Sequence, residues 1–352
     1  MAEPGVLVQH ELEPYRPGWV NRWVAWVERL PLPYWVYYLG LAIAIVGVQN
    51  WIKWYDGTLP PGSFFLPLIL FSCAGVYALA LMHSLIRRVP ETLERLRPAL
   101  KGDEAAYLKL LYRLANAPAL PVLLATLAGL ALGAVLQSWL LRPVLPIFKL
   151  SVTPTSTVFD GTLFILTWGV LGAGLYSLLH FLRGISQIYL EHTEVNLFQP
   201  QPLYSLSGLA SRAALGVALY NLPWITLTPG ASNVPAIVVL TLIFQFMAAA
   251  VFFVPLLGVH QLLLEDKYRR QQIVGKKLQY VLEQIHQKMD SGDASGIDPL
   301  QKLLSLLQTE QSTLEKAPTW PWNPETMRLV ITAIGVPMLV WLIQRALNRF
   351  GL

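Results

Sequence analysis

The chain has a single cysteine, Cys73, and little charge: Asp, Glu, Lys and Arg make up 13% of its 352 residues. A lone thiol excludes an intramolecular disulfide and every CxxC metal or haem-attachment pattern. Soluble domains are about 25% charged, so half that fraction means that most residues do not meet water. Phosphate-cradling glycine loops, dinucleotide fingerprints and kinase motifs are absent. The GxS at Gly184 to Ser186 lacks the strand-turn-helix context of a nucleophile elbow. No Asp or Glu lies inside an apolar block, although proton-coupled carriers and intramembrane aspartyl proteases need such carboxylates. The polar, acidic N-terminus lacks a basic region leading into an apolar core. No cleavable signal peptide is expected, and the first span is expected to act as an uncleaved anchor.

What is present is apolar: 54% of the residues are hydrophobic and 12 are Trp. The fold class expected is all-α, a polytopic membrane protein with about seven transmembrane helices and a cytoplasmic helical hairpin. Crossing ~30 Å of hydrocarbon takes ~20 apolar residues. Seven blocks qualify, at about Trp35–Ile52, Phe64–Ile86, Pro121–Leu141, Thr162–Leu182, Leu206–Thr228, Val234–Leu264 and Met327–Ile343. Four regions follow: an arm over 1–34, a six-helix region over 35–264, a hairpin over 265–318 and a Trp-flanked last span over 319–352. In the arm, Trp19, Trp23, Trp26 and Val27 share one helical face and predict an amphipathic helix in the headgroup layer. Within the six-helix region, 88–117 predicts two short amphipathic cytoplasmic helices, broken at Pro98 and Gly102, with Leu93, Leu96 and Leu100 sharing one face of the first and Leu108, Leu111 and Leu114 one face of the second.

Basic residues orient the chain. With the N-terminus in the cytoplasm, 21 of the 26 Lys and Arg fall inside. The five outside are Lys53, Arg142, Lys149, Arg345 and Arg349. This asymmetry predicts an inner-membrane protein with a cytoplasmic N-terminus. It also assigns the net charge of +5 to the membrane surface rather than to nucleic acid. Arg345 and Arg349 are discordant, and leave open whether the last block spans or lies at the inner face.

The segment 265–318 is the largest part without a long apolar run. Val274, Leu278, Val281 and Ile285, spaced four, three and four apart, form a coiled-coil seam. A Gly/Ser/Asp break follows. Asp298 and Pro299 predict a helix start, after which Leu300, Leu303, Leu304 and Leu307 form an apolar face. Two helices this short bury too little to stand alone, so packing on the 88–117 helices or on a second copy is expected. The hairpin resembles that of sensor histidine kinases in following a membrane helix and carrying a histidine, His286, on its first helix. Gln287 stands where those kinases place an acidic residue, and no nucleotide-binding domain follows, so the resemblance implies no catalytic assignment.

Each even-numbered block places a histidine about one turn before its basic end: His83, His180 and His260. Clustered, three imidazoles would offer haem or metal ligands or a pH sensor; singly, they suit helix ends near headgroups. The Glu191, His192 and Glu194 group lacks HExxH spacing. Gly129, Gly133, Gly172 and Gly174 predict close packing of the third span on the fourth. Gln137, Arg212, Asn221 and Gln245 are the polar groups within blocks, able to join helices or to line a solute path. No cofactor and no nucleic acid are expected. The expected partners are the bilayer and, through 265–318, a second copy or a cytoplasmic protein. The leading expectation is a non-enzymatic membrane protein; the alternatives are a channel or carrier for a small or lipidic solute and, third, a haem or metal membrane enzyme.

Overall fold

A computed structural model describes residues 14–100, 102–137, 153–192, 203–226, 235–291, 296–322 and 324–350. Among these residues the fold is all-α, with an isolated bridge between Pro17 and Pro118. The helices are α1 (Trp19–Glu28), α2 (Tyr34–Tyr55), α3 (Leu66–Ser72), α4 (Ala74–Leu96), α5 (Glu104–Ala115) and α6 (Ala119–Leu136). They continue with α7 (Pro154–His192), α8 (Leu203–Thr226), α9 (Pro235–Asp290), α10 (Ile297–Lys316) and α11 (Pro324–Phe350).

Among the described residues, four helices are long and apolar enough to cross a membrane: α2, α6, the Pro154–Tyr189 part of α7 and the Thr241–Asp290 part of α9. A fifth arises if α3 and the helix that follows it, bent by 45° at Cys73, form one broken span. That is fewer than the seven blocks expected. The fifth and seventh blocks do form helices, α8, which carries Arg212, and α11 over Pro324–Phe350.

Helix α7 is the hub. It packs along α6 and also touches α4, α5 and α9, while α8 joins α4, α9 and α11. Its approach to α6 follows from glycine. A Cβ on Gly129 would sit 2.3 Å from the Trp168 carbonyl oxygen, and one on Gly172 2.4 Å from that of Ala125. One on Gly133 would meet Trp168 at 2.9 Å. Gly174 departs from the expected set: it faces Ala78 of α4, where a Cβ would lie at an ordinary 3.8 Å.

The 88–117 region differs from the two short helices expected. Helix α4 runs unbroken past Arg88 and through Pro90 to Leu96, because Val89, Leu93 and Leu96 are fully buried and hold it in register. A 3₁₀ turn at Arg97–Ala99 precedes α5, whose N-cap Asp103 accepts from the Ala106 amide at 3.0 Å. In α5, Leu110 and Leu114 are buried while Leu108 is exposed. The arm helix differs too. Val20, Val24 and Val27 form its buried face, and Trp26 points outward. Backbone bonds from Gly18 to Ala117 and from Ala119 to Arg16 stitch it to the start of α6.

Helix α9 is a single rod of 56 residues, about 84 Å long at 1.5 Å per residue. It carries the sixth apolar block and the first half of the hairpin without interruption. Helix α10 folds back along it, and its main packing partner is α9 alone rather than α4 or α5. Its start also differs from expectation. Gly296, at φ +84°, turns the chain into α10, and Asp298 and Pro299 lie inside the first turn.

Candidate functional site

The three histidines lie on α4, α7 and α9, and each is taken by a different flanking segment. His83 is fully buried. Its Nε2 lies 2.7 Å from the Glu28 carboxylate, which only accepts, so Nε2 carries the proton. The Tyr38 hydroxyl then donates to Nδ1 at 3.1 Å. Tyr34 stacks on the ring at 4.4 Å between centroids, and Arg87 sits over Tyr34. His83 thereby joins α1, α2 and α4.

His180 donates from Nε2 to the Arg113 carbonyl at 3.1 Å, with the Tyr15 hydroxyl 3.3 Å away. Tyr15 itself donates to the Asn116 carbonyl at 2.8 Å, and burial pushes its phenol up to about 12. His260 donates from Nδ1 to the Thr319 carbonyl at 2.8 Å and stacks flat on Trp320, 3.6 Å between centroids. Each imidazole anchors a different segment: the arm, the α5–α6 junction and the α10–α11 connector. Among the described residues, no group of three His, Cys, Asp or Glu side chains is arranged to hold a metal ion. Glu191 is exposed, whereas Glu194 lies outside the described residues.

The polar residues of the apolar blocks act on other helices. Asn221 of α8 is buried and donates to the Thr241 carbonyl at 2.9 Å and to Gln245 Oε1 at 3.1 Å. Gln245 of α9 donates to the Ile334 carbonyl of α11. This chain of amides joins α8, α9 and α11 at mid-helix. Gln137 lies against Gly161, where a Cβ would meet its amide nitrogen at 2.0 Å. Arg212 is exposed.

One polar centre was missed at the sequence level. Because α7 begins at Pro154, Asp160 falls in its second turn, against the last turns of α2. Lys53 donates to Asp160 at 2.6 Å and Gln49 donates to it at 2.8 Å; the Ser72 hydroxyl, at the α3–α4 bend, donates to Gln49 at 2.7 Å. Lys53 is 3% exposed. The available signal was Lys53 directly after the first apolar block and Asp160 just before the fourth, positions that read as loop charges.

The hairpin supplies the site with the most open surface. Val274, Val281 and Leu307 are buried, and Leu278, Ile285, Leu300 and Leu304 pack partly buried beside them. Leu314, beyond the expected set, is fully buried. Leu303 departs from the expected buried face and is 44% exposed. It joins Tyr280 (63%) and Leu306 (67%) on one edge of the hairpin. Between the two helices on that edge runs an open groove of about 360 Å³, lined by Lys276, Lys277, Tyr280, Val281, Leu303 and Leu307. An aromatic and two leucines standing in water beside a groove form an apolar patch of the kind that marks interaction surfaces. Comparison with known protein families, with curated proteins and with solved structures finds no match to this chain, so its reading rests on this geometry.

Proposed function

We propose that this chain is a non-enzymatic multi-pass protein of the inner membrane, with seven spans and a cytoplasmic N-terminus, that presents the α9–α10 hairpin for self-association or docking of a protein partner. The observation that carries this reading is the exposed edge of the hairpin: Tyr280, Leu303 and Leu306 stand in solvent beside an apolar groove on the segment richest in polar residues. The span count is supported by the bond from Gln245 to Ile334. It ties the middle of the sixth apolar block to the middle of the seventh, so α11 runs at the depth of a helix long and apolar enough to cross.

The test is a photoactivatable residue at position 280 or 306 of the full-length protein in its own membranes. Tyr280 and Leu306 are chosen because they face solvent, whereas a bulky probe at the buried Val281 would force the hairpin apart. A cross-linked species heavier than the chain is expected, and Leu303→Asp should abolish it. If neither position yields an adduct, the docking role fails.

A further inference from the structure

We infer that the occupant of the hairpin edge is a second copy of this chain, docked about a two-fold axis along the membrane normal; this rests on the docking role proposed above. Copies of one membrane protein enter the bilayer in a single orientation. A two-fold along the normal therefore brings together residues of equal height, and the contact is isologous.

Heights along the hairpin are fixed by three contacts. Lys267 donates to the carbonyls of Glu315 and Ala317. Tyr280 and Val281 share the groove with Leu303 and Leu307. Gly296 abuts Lys288. Between these points, Lys276 and Lys277 fall within one turn of Glu310.

The charges on this edge are complementary to their own image. Lys276 and Lys277 line the groove on α9, and Glu310, seven residues after Leu303, shares its stripe on α10. All three are exposed. Among the described residues, Lys276, Lys277 and Glu310 take part in no ion pair. Seating α9 of one copy on α10 of the other sets Lys276 and Lys277 against the second copy's Glu310. Seating α9 on α9 would oppose lysine to lysine, which is repulsive. The charges thus select one register, and Tyr280, Leu303 and Leu306 fill the centre, where aromatic anchors carry most binding energy.

The test uses the full-length protein in lipid nanodiscs loaded at varied protein-to-disc ratio, with mass measured directly. The wild type is expected at twice the 39.4 kDa of the chain. Glu310→Lys should weaken the dimer roughly tenfold, and Lys276→Glu with Lys277→Glu in that same chain should restore it. A second measurement mixes differently tagged Lys277→Cys and Glu310→Cys chains, each also carrying Cys73→Ser; oxidation should give the mixed disulfide in preference to either like pair. A monomer at every ratio, or a dimer indifferent to charge reversal, overturns the inference. Photo-adducts at Tyr280 with a different protein, alongside a monomeric mass, would overturn the second copy while leaving the docking role standing. Absence of any adduct removes both.

Discussion

Lys53 and Asp160 form an ion pair of 2.6 Å between the last turn of α2 and the second turn of α7, with the lysine almost wholly withdrawn from solvent. Gln49 and Ser72 extend the pair to the bend between α3 and α4. Removing one member leaves the other buried and unpaired. Asp160→Asn should therefore destabilise the protein by about 3–5 kcal/mol, whereas Lys53→Met with Asp160→Leu should fall close to the wild type. Thermal unfolding in detergent separates these outcomes. Equal losses from the single and double changes would show that the pair adds nothing beyond packing.

Helix α1 is held by His83 through Glu28, and His83→Ala removes both a buried hydrogen-bonded group and the volume under Tyr34. A loss of about 2–4 kcal/mol is expected, concentrated in the arm. Hydrogen exchange of Val20 to Val27 should accelerate well before that of α6 or α7. Uniform acceleration across the molecule would contradict a local anchor.

The α6–α7 contact makes a sharp distinction among glycines. Gly129→Ala places a methyl 2.3 Å from a backbone oxygen and should cost at least about 1–3 kcal/mol. Gly174→Ala meets only Ala78 at 3.8 Å and should be neutral or slightly stabilising. Paired melting curves of the two variants decide this.

Asp56, just beyond α2, gives a pH dependence. Its slight burial opposes ionisation, but hydrogen bonds from the hydroxyl of Thr153 and from the backbone and hydroxyl of Thr58, with Lys53 nearby, hold the carboxyl below the usual range. A carboxyl whose folded value is depressed stabilises the fold above its unfolded value, near ~3.9, and this contribution disappears as pH falls through the folded value. The wild type should therefore lose stability relative to Asp56→Asn as acid is added below about pH 4. Parallel melting curves at pH 6 and pH 3 would show the two converging; a constant gap would exclude the link.

Much of the helical order was legible in the residues themselves. Apolar block length predicted α2, α6, α7 and α9, and the spacing of Val274, Leu278, Val281 and Ile285 predicted the hairpin seam. What escaped was decided by contacts between segments distant in the chain. The Trp pattern of α1 concealed that its valines are the buried face, because nothing local says which stripe meets α6. Asp160 read as a loop residue because the apolar stretch begins two residues later, whereas the helix begins six residues earlier. The histidines shared a position on their helices, yet their partners, Glu28, Arg113 and Thr319, come from three separate segments. Periodicity placed Leu303 with Leu307, but the width of one facing helix covers only part of that stripe.

Helix α9 runs from the apolar block into the hairpin as one rod, and its one proline beyond the first residue is Pro255. There the amide hydrogen that would bind the Val251 carbonyl is missing, so bending concentrates at that point. Below it, His260, the Trp320 stack and the whole hairpin turn as one lever; above it, Gln245 grips α8 and α11. A torque applied to the hairpin is therefore delivered to the turn at Pro255, within the sixth apolar block, rather than dissipated in a linker.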